Sequence, residues 1–235
     1  MHATPPSFVA SPSIRTFAAE GVRHSRDGLR RALVGAVLFG TVPGFASAYT
    51  VNLTAAAPQT VYLQVGVGSF TNNYNAGGQP GNNTTINTVS TTVAAAVVGN
   101  GTAQALTTNS TATQSYWDGY TYCSVPGQVY IGGFYRTTGG TTTAALVTAS
   151  VPAALINATG DTIPFSNIRW TSSGNGDTGA EPFPAGTFVN GGVQNVGSMS
   201  SNTWNESCWT FSYLNNTVPS AGTFTGVVRY TLSSP

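Results

Sequence analysis

The chain has 235 residues, only 6% of them charged and 40% hydrophobic, with eight arginines, no lysine, two histidines and two cysteines. Beyond residue 48 the basic residues are Arg136, Arg169 and Arg229 and the acidic ones Asp118, Asp161, Asp177, Glu181 and Glu206, a formal balance of −2 with no histidine. That excludes a basic stripe for nucleic acid, a basic membrane-surface patch, Ser-His-Asp and Cys-His centres, His-ligated zinc or copper, and a lysine Schiff base or P-loop; no cofactor is expected.

Residues 1–48 carry the other five arginines, Arg15, Arg23, Arg26, Arg30 and Arg31, and both histidines, His2 and His24. The run ALVGAVLFGTVPGF and Ala46-Ser47-Ala48 follow. A basic stretch, a short apolar stretch and a small-x-small site predict a signal peptide cleaved after Ala48. The apolar run is too short and glycine-rich for a membrane span. The 21 residues before Val22 exceed what such a leader needs, so a start near Val22 is the alternative. Arg30-Arg31 suggests twin-arginine export, but the flanking residues fit it poorly, and general secretion to the periplasm, cell surface or medium is expected.

Tyr49–Pro235 is then a single secreted domain of 187 residues, enough for a sizeable core. YTVNLTA alternates from Tyr49, and TVYLQVGVGSF sets Val61, Leu63, Val65 and Val67 on one face against Tyr62 and Gln64. A loop, NNYNAGGQPGNNT, leads into the Thr-rich TINTVSTTVAAAVVG, which reads as one long or two short strands. TATQSYWDGYTYC brings aromatics up to Cys123, and GQVYIGGFYR reads as a strand whose Gly pair suggests a bulge. TTTAALVTASV is a strand, NATGDTIPFSNIRW a turn and short strand, and TSSGNGDTGAEPFPAG a long polar loop. ESCWTFSYL places Trp209, Phe211 and Tyr213 on one face, away from Cys208. About ten strands with no helical period predict an antiparallel β-sandwich, immunoglobulin-like or jelly-roll-like. An even cysteine count in an exported chain predicts a Cys123–Cys208 disulfide, worth on the order of 4 kcal/mol in the chain-entropy model; two buried thiols are the alternative.

Chemistry has few carriers. Five acids could supply a pair for glycoside hydrolysis, with Glu206 beside the cystine strand and Glu181 in the long loop. Their ordinary role is to solubilise the chain or hold Arg169 and Arg229, so no enzyme activity is expected. Asn175, Asp177 and Glu181 offer oxygen ligands for calcium, but their spacing is not that of an EF-hand, and turn chemistry accounts for them; no metal is expected. Trp117 and Tyr120 beside Asp118 could stack on a sugar and accept its hydroxyl hydrogen bonds, the feature that makes a carbohydrate-binding module the rival function and a glycan a candidate partner. The ordinary reading packs Trp117 into the core near Cys123.

The chain closes on AGTFTGVVRYTLSSP, where Phe224, Val228, Tyr230 and Leu232 alternate after Gly222, fourteen residues from the end. This pattern resembles the C-terminus of chaperone–usher pilins and of spore-coat-type exported β proteins of bacteria. YTVNLTAAA, with Val51 and Leu53, is similar to a pilin donor arm. The ending departs from pilins at Ser234, where they carry an aromatic, and in its late cysteines. The resemblance implies a structural or adhesive surface subunit whose partners are copies of itself or other surface subunits, joined by strand addition. Whether the terminal strand completes its own sheet or a neighbour's stays open here.

Overall fold

The computed structural model describes residues 51–55, 59–71, 79–81, 83, 85–139, 143–174 and 180–235. The leader 1–48 with its cleavage site, Tyr49, residues 72–78 of the first loop, and Asn175 and Asp177 of the calcium-like loop lie outside them. In chain order the strands are β1 (Val51–Asn52), β2 (Thr60–Val65), β3 (Phe70–Thr71), β4 (Gln79–Pro80), β5 (Val89–Ser90), β6 (Gln104–Ala105), β7 (Thr107–Thr108), β8 (Val129–Arg136), β9 (Ala145–Val151), β10 (Ala154–Ile156), β11 (Thr162–Pro164), β12 (Ile168–Ser173), β13 (Gly186–Thr187), β14 (Gly192–Met199), β15 (Thr203–Tyr213) and β16 (Arg229–Ser233). Among the described residues the one helical element is a 3₁₀ turn, Phe165–Asn167.

The fold is all-β, and every strand pairing is antiparallel, as the sequence predicts. In place of about ten strands, seven have five residues or more and nine are ladders of two or three. A seven-stranded sheet runs β13–β12–β15–β8–β2, with β1 and β6 also on β15. Trp204 pairs with both Val51 and Phe134, so β1 and β8 flank β15 on opposite sides. A three-stranded sheet, β14–β9–β16, packs over one face of the larger one.

Strand periodicity builds the core between them. Odd residues of β15 point inward, so Trp209, Phe211 and Tyr213 meet Ile131, Trp170, Val147, Ala149 and Met199. Trp209 and Tyr230, from opposite sheets, have ring centroids 5.8 Å apart. β9 alternates strictly, burying Ala145, Val147, Ala149 and Val151.

Two readings are corrected. TINTVSTTVAAAVVG forms only the short β5, followed by turns over 95–99. The Gly pair in β8 is not a bulge, because Gly132 and Gly133 stay in register with β2 and β15. A Cβ on Gly132 would strike the Tyr130 phenol, and one on Gly133 the Tyr62 carbonyl, so both glycines serve close approach. The bulge lies instead in β14, between Asn195 and Gly197.

Candidate functional site

The even-numbered face of β15, opposite Trp209, Phe211 and Tyr213, is also covered. Val51, Leu53, Tyr62, Phe134 and Trp204 form a second apolar cluster there, with Tyr116 and Trp117 against it. Ala112, Tyr130 and the cystine form a third, with Tyr116 and Tyr122 packed on it. The Cys123–Cys208 bond is formed, with Cα atoms 5.6 Å apart and 85 residues between them in sequence. Tyr62 and Gln64, on the face opposite Val61, Leu63 and Val65, are buried here, and the Tyr62 hydroxyl donates to Gln64 Oε1 at 2.7 Å.

Glu206 is the centre of this face. Trp204 lies two residues away on the same strand, hence on the same side, and its Nε1–H donates to Glu206 Oε2 at 2.8 Å. Tyr130 sits diagonally across the ladder and donates its hydroxyl to the same oxygen at 3.0 Å. Its ring crosses over Gly132, the residue opposite Glu206, which is why that position has no side chain. Burial and the Glu206 charge together hold the Tyr130 phenol well above the ordinary tyrosine range. Burial, then the charges of Glu206 and Glu181, do the same to Tyr122. Both phenols therefore stay protonated; Tyr130 acts as a donor, whereas the buried Tyr122 hydroxyl has no hydrogen-bond partner.

Glu181 lies nearby: it accepts the hydroxyl of Ser207, the residue next to Glu206, at 3.2 Å, and both charges act on the Tyr122 phenol. Among the described residues no three His, Cys, Asp or Glu side chains group to hold a metal ion.

The aromatic loop is built by local turns. Ser115 Oγ accepts the Trp117 N–H at 3.1 Å, and Asp118 Oδ1 accepts the Tyr120 N–H at 2.9 Å. Gly119 supplies the positive φ of +77° that the turn requires. Trp117 is half-buried and leans on Trp204 with centroids 6.4 Å apart, so it packs on the second cluster, while Tyr116 and Tyr122 lie by the cystine. Tyr120 is 55% exposed. A shallow hollow of about 320 Å³ beside this loop is lined by Thr111, Thr113, Gln114, Ser115, Tyr116 and Gly119.

Both segments named for strand addition lie in the chain's own sheets. Val51 and Leu53 are 8% and 6% exposed, and the Leu53 N–H donates to the Asn202 carbonyl at 2.8 Å. β16 pairs with β9 as an edge strand. Phe224, Val228, Tyr230 and Leu232 are half-buried against the main core, as their alternation suggests, though the ladder begins only at Arg229. Gly222, at φ +154°, passes close to Asn157.

Sequence reasoning missed Tyr62, Tyr130, Arg136 and Trp204 as buried members of this second face. The available signal was the Gly pair, which marked a close approach on both sides of β8. Comparison with protein-family models, curated proteins and solved structures finds no match for the chain. No helix among the described residues is long and apolar enough to cross a membrane.

Proposed function

We propose that the chain is an exported, non-enzymatic surface protein with a structural or adhesive role, joined to neighbouring copies by strand addition. The arm Tyr49–Ala57 of one copy would take the place along β15 that β1 fills. The observation that carries this reading is the imbalance in how β1 is held. Its ladder is two residues long, yet it buries Val51 and Leu53 almost completely. Two such side chains contribute about 3–6 kcal/mol by burial, nearly all of it from plugs that a second copy would supply equally well. Exchange in trans replaces like contacts with like, so concentration and geometry decide it. The protonated tyrosines also suit a protein that works by contact.

The test compares the chain from Tyr49 with one starting after Ala57, by light scattering over a concentration series. The longer chain should self-associate. The shorter one should not, and it should bind a synthetic Tyr49–Ala57 peptide but not its Leu53→Asp form. Equal assembly with and without the arm refutes strand addition. Glycan binding is the second reading, favoured by the exposed Tyr120 ring beside Trp117. A sugar signal on a glycan array that is lost in Trp117→Ala and Tyr120→Ala would establish it.

A further inference from the structure

Arg136 ends β8 and is only 4% exposed. Its parity with Tyr130 and Phe134 puts it on the second face, and Thr60 stands opposite it on β2. Its Nε and Nη1 are buried and have no hydrogen-bond partner, and no ion pair to it is found among the described residues. Glu206 is on the same face, but it stands opposite Gly132, four residues back along the strand, roughly 13 Å away at 3.3 Å per residue. Its Oε2 already receives Trp204 and Tyr130. Neither β2 nor the arm Tyr49–Ala57 contains an acid.

An arginine cannot shed its proton. A guanidinium stripped of water and left without an acceptor is among the costliest arrangements a fold can hold, and buried charges are normally paired. The position also lies close to solvent, because Thr138 and Gly139, just past the strand end, are exposed. Phe134, Tyr62 and Trp204 are packed in the buried cluster on the same face, so the approach is from the strand end. We propose that Arg136 anchors a binding site for a carboxylate, received at the end of β8 with the guanidinium as its counter-charge. This inference does not depend on strand addition.

The test is a thermal-unfolding titration of the secreted chain with acetate, glucuronate and phosphate, against chloride at matched ionic strength. At a hundredfold excess over Kd a carboxylate should raise Tm by about 5–10 °C. Acetate and glucuronate acting alike indicates the carboxylate alone as the recognised group, and glucuronate acting alone indicates one carried on a sugar. Arg136→Gln and Arg136→Met should lose the response, and Arg136→Met, freed of a buried charge, should match or exceed the parent Tm without ligand. In ¹⁵N-labelled parent protein, the Arg136 Nε–H resonance should move on adding acetate while those of Arg169 and Arg229 do not; this requires no variant to fold. An absent carboxylate response, one confined to phosphate, one kept in the Arg136 variants, or an unmoved Arg136 resonance overturns the proposal.

Discussion

Asn215 offers the sharpest test of how the fold is held. It is fully buried and adopts φ +53°, a left-handed conformation that Asn tolerates better than most residues. Its Oδ1 accepts the Gly99 N–H at 2.9 Å, and its Nδ2 donates to the Val97 carbonyl at 2.8 Å, Asn100 Oδ1 at 3.0 Å and the Thr102 carbonyl at 3.3 Å. One amide thus clamps the 97–102 turn onto the end of β15. Asn215→Ala leaves two or three partly buried backbone groups without their partner, at up to about 1 kcal/mol each, and adds roughly 1 kcal/mol for a left-handed alanine. The expected loss is about 3–4 kcal/mol, a fall in Tm of roughly 6–16 °C for a domain of this size. Asn215→Gly should be milder by about 1 kcal/mol, since only the backbone penalty disappears. Asn215→Asp should be the worst, because it aims a charge at the Val97 and Thr102 carbonyls. Urea unfolding of the three variants checks the order. An alanine cost below about 1 kcal/mol, or an aspartate milder than alanine, refutes the clamp.

Two pH predictions follow from the titrating groups. Tyr122, Tyr130 and Tyr230 are raised above their unfolded value of about 10, so their contribution is intact below pH 10 and is lost as pH rises beyond it, with a slope that climbs toward about 4.1 kcal/mol per pH unit for the three together. Tyr130→Phe should cut that slope by about a third in urea midpoints measured from pH 9 to 11, and an unchanged slope would sink the assignment. Asp161 is lowered to about 2 by hydrogen bonds from Thr159, Ser220 and Asn157. The Thr159 and Ser220 hydroxyls both reach its Oδ2 at 2.7 Å. The stability it confers is present above pH 4 and disappears between about pH 4 and pH 2, loosening the segment before β16 from the β10–β11 hairpin. Asp161→Asn should flatten the pH dependence in that window, and a variant that still tracks the parent there would exclude Asp161 as its source.

Legibility followed the physics of alternation. Trp209, Phe211 and Tyr213 could be read as one face because the opposite face of ESCWTFSYL carries small or polar residues. The same rule separated the two faces of TVYLQV but could not say that the Tyr62 and Gln64 face is the more buried one, since these polar-capable side chains pair with each other inside a second cluster. A strand buried on both faces gives no periodic signal. TINTVSTTVAAAVVG looked strand-forming from its β-branched residues, but the Asn215 amide, more than a hundred residues downstream, claims the backbone of that turn. Propensity is local and could not register so distant a partner. The cystine was legible because two cysteines allow one pairing. The isolation of Arg136 was not, because its expected acid stands four residues too far along the same face.

The placement of charge bears on how such a protein would meet a partner. Of the eight charged residues beyond residue 48, Arg136 is buried and Glu181 and Glu206 are half-buried. The outer face of the small sheet has Thr148, Ser150, Thr231 and Ser233, with Arg229 as the charge on β16. Natural sheets usually guard an open edge with lysines or inward-pointing charges, and this chain has no lysine at all. An edge left without that guard either invites indiscriminate pairing or is reserved for a chosen strand. The Thr- and Asn-rich surface favours the second case, because backbone hydrogen bonds and apolar plugs like Val51 and Leu53 select by register and shape. Such an association should hold its strength from low to high salt, since no exposed ion pair is needed for screening to weaken. Carboxylate capture at Arg136 would instead weaken as competing anions accumulate, so salt dependence separates the two modes of contact in one protein.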